Sequence, residues 1–131
     1  MIVADASAVV ELLTAGPRSA STRAALSTHN ELHVPEHFHV EVLSVLRRRS
    51  LRLEMDEMRA LESQTALSEL RTITYPVIEL MEEIWSMRTR LTVYDAAYLA
   101  LAQRLDAPLI TLDSGLARAA EAHGRLLKLT D

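Results

Sequence analysis

Four acidic residues stand where carboxylate chemistry would need them. Asp5 directly follows the apolar run Ile2-Val3-Ala4, and Asp113 directly follows Leu109-Ile110-Thr111-Leu112. Short apolar runs of this kind read as buried strands. If the two strands are parallel, both acids lie at the same end of the sheet, beyond the carboxyl ends of its strands, where α/β domains bind ligands. Asp95 opens the helical stretch that feeds the second strand. Glu41 lies between Phe38 and Val45 on the apolar stripe of another helical stretch. A carboxylate on a core-facing stripe is costly unless something compensates it. Four converging carboxylates would repel, and some would titrate high. A hard divalent cation removes that conflict, and ligands that are carboxylates and waters favour Mg²⁺ or Mn²⁺. Ser7 and Thr111 flank the candidate centre, and their hydroxyls are able to orient Asp5 or a metal-bound water.

Each acid also has a plainer reading. Asp5 and Asp113 suit helix N-caps. Asp95 favours the positive end of its helix, or completes a capping box with Thr92. Glu41 becomes a rim residue if the helix is rotated slightly. Ser7 reads as a cap, and Thr111 as an ordinary strand residue. A rival metal chemistry rests on His37 and Glu41, one helical turn apart, as a Zn²⁺ pair near His33 and His39. No second metal-spaced His pair accompanies it, and the histidines read as surface residues. A phospho-receiver needs paired acids after its first strand, but Ala6 follows Asp5. A haloacid-dehalogenase-like phosphatase needs an Asp where Ser7 stands.

The elements that must position these residues alternate between strand and helix. Strands are expected at Ile2-Val3-Ala4, Leu32-His33-Val34, Thr72-Ile73-Thr74-Tyr75 and Pro108 to Leu112, with Leu127-Lys128-Leu129 as a last edge strand. Helices are expected over Ala8–Leu13, Arg18–Leu26, Glu36–Arg49, Glu54–Leu70, Pro76–Met87, Tyr94–Leu105 and Leu116–His123. Packing positions are read as Ala20, Ala24 and Ala25 in the second helix, and as Met58, Leu61, Ala66 and Leu70 in the fourth. This order predicts an α/β domain with a short, mostly parallel central sheet flanked by helices, spanning 1–131.

Composition narrows the classes. With Cys 0, disulfide frameworks and thiolate chemistry are excluded, which suits a cytoplasmic protein. Hydrophobic residues at 49% and charged residues at 24% fit a globular chain rather than a disordered one. Gly 3 leaves too few glycines for most phosphate-cradling loops. No apolar run approaches the ~20 residues of a membrane span, and a signal peptide is not expected. The net charge of −4 is wrong for a protein that grips nucleic acid over a wide surface, so any such contact is local or metal-mediated. Arg88 and Arg90, close to Asp95 in sequence, are candidate phosphate contacts. So are Arg47 and Arg48, grouped with Arg49 and Arg52, although a solvated helix end explains them too. Aromatics at 4% make a poor base-stacking platform.

Taken in order, Ile2-Val3-Ala4-Asp5-Ala6-Ser7-Ala8, Val34-Pro35 leading to Glu41-Val42-Leu43, Tyr94 to Ala102, and Leu109-Ile110-Thr111-Leu112-Asp113 resemble the PIN-domain ribonucleases. Within them the chain is most similar to the toxin component of VapBC toxin–antitoxin pairs. The resemblance covers nearly the whole chain. It implies that Asp5, Glu41, Asp95 and Asp113 match the family's acidic quartet. It also implies Mg²⁺- or Mn²⁺-dependent endonucleolytic cleavage of RNA that leaves a 5′ phosphate. A small antitoxin covering the active-site groove and a homodimer are implied as well. A PIN-like module that binds or processes RNA outside such a pair is the alternative. Leu51 to Arg71 matches no motif.

Overall fold

The computed structural model describes residues 1–130. Its strands are β1 (Val3–Ala4), β2 (Leu32–Pro35), β3 (Thr72–Tyr75) and β4 (Leu109–Ile110). Its helices are α1 (Ala6–Leu13), α2 (Ser19–Leu26), α3 (Phe38–Leu51), α4 (Glu57–Glu69), α5 (Met81–Ser86), α6 (Val93–Leu105) and α7 (Ser114–Ala122). The four strands form one sheet in the order β3-β2-β1-β4, and every pairing is parallel. The α/β fold with a parallel central sheet flanked by helices is therefore as the sequence predicts.

Parallel strands need crossovers, and here helices supply them. β1 lies between β2 and β4, which come far apart in the chain. The strand order reverses at β1, the place where α/β sheets bind ligands beyond the carboxyl ends of their strands. α6 packs on β1, β2 and β4. Ala96 through Ala102 are all buried, so this stretch is covered on every side. Its small alanines let the helix approach the sheet closely, while Tyr98 reaches His37 and Glu41 at the start of α3.

Several boundaries and faces differ from expectation. α3 begins at Phe38 because Glu36 still belongs to the sheet's margin. Its backbone N–H donates to the Tyr75 carbonyl at 2.9 Å, and its carboxylate accepts from the Val77 N–H at 3.0 Å. α4 begins at Glu57 because Asp56 caps it, accepting from the Arg59 N–H at 2.7 Å. The buried face of α4 is Ala60, Ser63 and Leu67, whereas Met58 and Leu61 point to solvent. In α2 the inward positions are Thr22 and Leu26, and Ala20 and Ala24 are exposed. The expected helix from Pro76 divides into a 3-10 turn (Val77–Leu80) and α5. Leu127 to Leu129 form no strand. Parallel pairing beyond β4 is one bridge, Leu109 with Leu126, because β4 itself is two residues long.

Candidate active site

Asp5 is the most constrained acid. It ends β1 and caps α1, with Oδ1 accepting from the Ala8 N–H at 3.2 Å. The Ser7 hydroxyl donates to the same oxygen at 2.7 Å, and the Thr111 hydroxyl donates to Oδ2 at 2.7 Å. Ser7 is thus a first-turn residue of α1 rather than its cap. Its oxygen also accepts from the Leu112 N–H at 2.9 Å, and Thr111 accepts from the Asp113 N–H at 3.0 Å. These bonds tie the end of β1 to the segment after β4. Asp5 is 3% exposed, and that burial pushes its carboxyl up to about 6 against the opposing pull of these donors, with the Glu41 charge adding to the rise.

Glu41 lies in the first turn of α3 and is half-buried. Its Oε1 accepts from the Tyr98 hydroxyl at 2.6 Å. Burial, and then this bond, hold the Tyr98 hydroxyl far above its usual titration range, so it remains a donor. His37, one turn earlier, brings Nε2 to 4.0 Å from the same oxygen, and its ring meets Tyr98 and Tyr94 edge-on. The other histidines go elsewhere. His33 is buried rather than on the surface, with Nδ1 2.7 Å from the Tyr75 hydroxyl, and His39 packs edge-on against Phe38. The set required for a zinc centre is therefore divided among separate contacts.

Asp95 stands in the first turn of α6, where its N–H donates to the capping Thr92 hydroxyl at 3.2 Å. Its carboxyl is held above the usual range by burial first, then by the charges of Asp113 and Glu41. Asp113 is exposed and caps α7, accepting from the Leu116 N–H at 2.8 Å. The capping and the clustering readings therefore coexist. Asp5 and Asp113 cap helices, and the acids still lie near enough for Asp5 to sense Glu41, and for Asp95 to sense both Glu41 and Asp113.

Such a set fits a hard divalent cation. All the donors are oxygens, and burial, with neighbouring charge adding to it, opposes ionisation of Asp5 and Asp95, a cost that a cation offsets. Among the described residues no three acidic or histidine side chains already close into a chelating group. Glu41 has one oxygen engaged by Tyr98, and Asp113 is turned to its helix, so closure around an ion requires side-chain rotation.

The arginines are dispersed. Arg47 and Arg48 are exposed on the later turns of α3. The Arg88 guanidinium lies 4.9 Å from the centre of the Trp85 ring and donates to the Trp85 carbonyl. Arg90 lines a pocket of about 280 Å³ with Gly115, Arg118 and His123. Sequence reasoning missed Arg118 and His123, whose helical spacing on α7 resembles that of any solvated face. It also missed Tyr98 as a partner of Glu41, because an aromatic inside an apolar run reads as core.

Residues 2–122 match the PIN domain family model. Among related proteins, VapC ribonuclease Mb0985 of Mycobacterium bovis is 38% identical over 126 residues, covering 94% of each chain. Ribonuclease VapC12 of Mycobacterium tuberculosis is 36% identical over 124 residues, covering 95% of this chain and 93% of the relative. Ribonuclease VapC1 of the same species is 40% identical over 118 residues, 89% of each. The solved structure of Mycobacterium tuberculosis VapC20, a Sarcin-Ricin loop cleaving toxin, superposes with a TM-score of 0.70 at 18% identity, covering 91% of this chain and 95% of that one. PAE2754 from Pyrobaculum aerophilum gives 0.66 at 21% identity, covering 89% and 77%. A family model spanning most of the chain, relatives above one-third identity over nearly their full length, and a matching parallel fold together make this chain a member of the PIN-domain family of VapC ribonucleases.

Proposed function

We propose that the chain, acting as one nuclease unit over 1–131, is a divalent-metal-dependent endoribonuclease and the toxin of a toxin–antitoxin pair. The observation that carries this reading is the clustering of acids beyond the end of β1, where the Glu41 charge acts on Asp5 and the Glu41 and Asp113 charges act on Asp95, in a chain that belongs to the VapC family. Asp5, Glu41 and Asp95 would hold Mg²⁺ or Mn²⁺, with Asp113 binding directly or through water. A bound cation of this kind polarises a phosphodiester and lowers the pKa of a water. The protein's own part is positional. Ser7 and Thr111 fix both oxygens of Asp5. Tyr98 holds one oxygen of Glu41. Thr92 sets the first turn of α6 and with it the backbone of Asp95. In-line attack with the 3′ oxygen leaving gives a 5′-phosphate product.

RNA is the substrate in this reading and a small antitoxin the partner. Exposed Val40, Leu43 and Leu51 of α3, beside a groove toward α4, suit an amphipathic segment of such a partner. Family likeness also supports a homodimer and a cytoplasmic location. Among the described residues no helix is long and apolar enough to cross a membrane.

The deciding experiment is cleavage of RNA with Mg²⁺ or Mn²⁺ by wild type, Asp5→Asn and Asp95→Asn. Both substitutions keep side-chain volume and remove charge. Cleavage is expected in the wild type alone, and EDTA should stop it. Cleavage that survives either substitution, or EDTA, rejects the mechanism.

A further inference from the structure

Beside the acid centre, α3 and the first turn of α6 enclose a cleft of about 450 Å³, lined by His37, Val40, Glu41, Ser44, Arg48 and Tyr94 among others. His37, Glu41, Ser44 and Arg48 follow one another at three- and four-residue steps, so they form one stripe along α3. Glu41 belongs to both regions, and the cleft and the acid centre therefore share a wall. Tyr94 adjoins Asp95 in sequence and is 59% exposed. Its ring is not loose, for it meets the His37 ring edge-on at 5.8 Å, and His37 in turn meets the buried Tyr98 ring at 5.2 Å. A ring that is both exposed and braced contributes little to the core and offers a flat, preset face. Arg48 is exposed at the other end of the stripe, and among the described residues no carboxylate pairs with it. Seven residues of helix separate it from Glu41, a rise of roughly 10 Å, which is the reach of a neighbouring nucleotide.

We propose that this cleft is a nucleotide subsite, in which the base of an unpaired nucleotide next to the cleaved bond stacks on Tyr94 and its phosphate meets Arg48. The inference rests on the endoribonuclease reading and names the form of substrate it takes. A paired base hides its faces in the stack, so the nucleotide must be single-stranded or lie in a loop. Low aromatic content argues against an extended stacking platform, but one base needs one ring. Val40 and Val45 alone would suit a peptide equally well. The braced ring, the unpaired guanidinium and the wall shared with the acid centre favour a nucleotide.

The test is fluorescence anisotropy with a fluorescein-labelled, unstructured oligoribonucleotide, in an Asp5→Asn background that does not cut the probe. Tyr94→Leu should weaken binding by roughly 5- to 100-fold, while Tyr94→Phe keeps the background affinity. Arg48→Ala should also weaken it, and should lower the slope of log K against log salt by about 0.7. A fully paired RNA stem should bind independently of Tyr94. The subsite is overturned if the background fails to bind the oligoribonucleotide, if Tyr94→Leu binds like the background, or if Phe and Leu lose affinity alike. An unchanged Leu variant assigns the cleft to a protein segment instead. If the wild type does not cleave RNA but binding still depends on Tyr94, the reaction assignment fails and the subsite stands.

Discussion

At the scale of single residues, Asp5 carries the largest conflict between structure and chemistry. The fold supplies three donors to its carboxylate, and burial still lifts it to about 6. An acid whose folded value exceeds its unfolded value of about 3.9 favours the folded state most when protonated. Its contribution is therefore full below about pH 4 and is lost as the pH rises through about 6, a swing of roughly 3 kcal/mol. Urea unfolding in EDTA should show this downward slope between pH 4 and 7, and Asp5→Asn should flatten it. An unchanged slope would assign the pH dependence to other groups. Tyr98 gives a second prediction. Tyr98→Phe keeps the buried ring and deletes the donor to Glu41, so Mn²⁺ affinity read by calorimetry should fall by roughly 10- to 100-fold while the fold persists. Affinity equal to wild type would reduce Tyr98 to a packing residue. Strand-end logic made Asp5 and Asp113 legible from the sequence alone. Tyr98 was not, because its partner lies 57 positions away and local pattern carries no trace of it.

Among elements, α6 does most to connect core and site. Its middle is buried throughout, while its first turn projects Asp95 beside Glu41 and Asp113. Thr92 fixes that turn, and Thr92→Ala should cost about 1 kcal/mol of stability. It should also reduce RNA cleavage, because the turn presenting Asp95 loses its anchor. A stability loss with cleavage intact would separate the cap from the site. The four strands of the sheet, most of the crossover helices and the caps at Thr92 and Asp113 were readable because each rests on local chemistry, whereas the edge strand expected at Leu127 to Leu129 is absent. The inward face of α4 was not. Its inward positions are Ala60, Ser63 and Leu67, of which two are small or polar, while the larger Met58 and Leu61 face outward. Tertiary packing overrides the apolar pattern there. The break before α5 was equally hidden, since no glycine or further proline marks Leu80.

For the whole molecule, an acid centre in a chain of net charge −4 must draw its RNA affinity from local sources. On the proposed mechanism, one is a divalent cation, and Mg²⁺ or Mn²⁺ should raise the melting temperature of the wild type by linkage and raise that of Asp5→Asn less. Equal shifts in both would place the ion elsewhere. The pocket of Arg90, Arg118 and His123 along α7 is a second candidate source. Arg118→Ala should weaken RNA binding across sequences and lower its salt slope by about 0.7, without changing which bond is cut. The pairing of β1 with β4, sealed by Thr111 bonding to Asp5 across 106 positions, has a consequence during synthesis. A nascent chain halted before Leu109 has no strand beside β1 on that flank and no Thr111 hydroxyl to seat the buried acid. On the proposed reaction, a product truncated there lacks the flanking strand, Thr111 and Asp113 together, and is expected to leave RNA uncut.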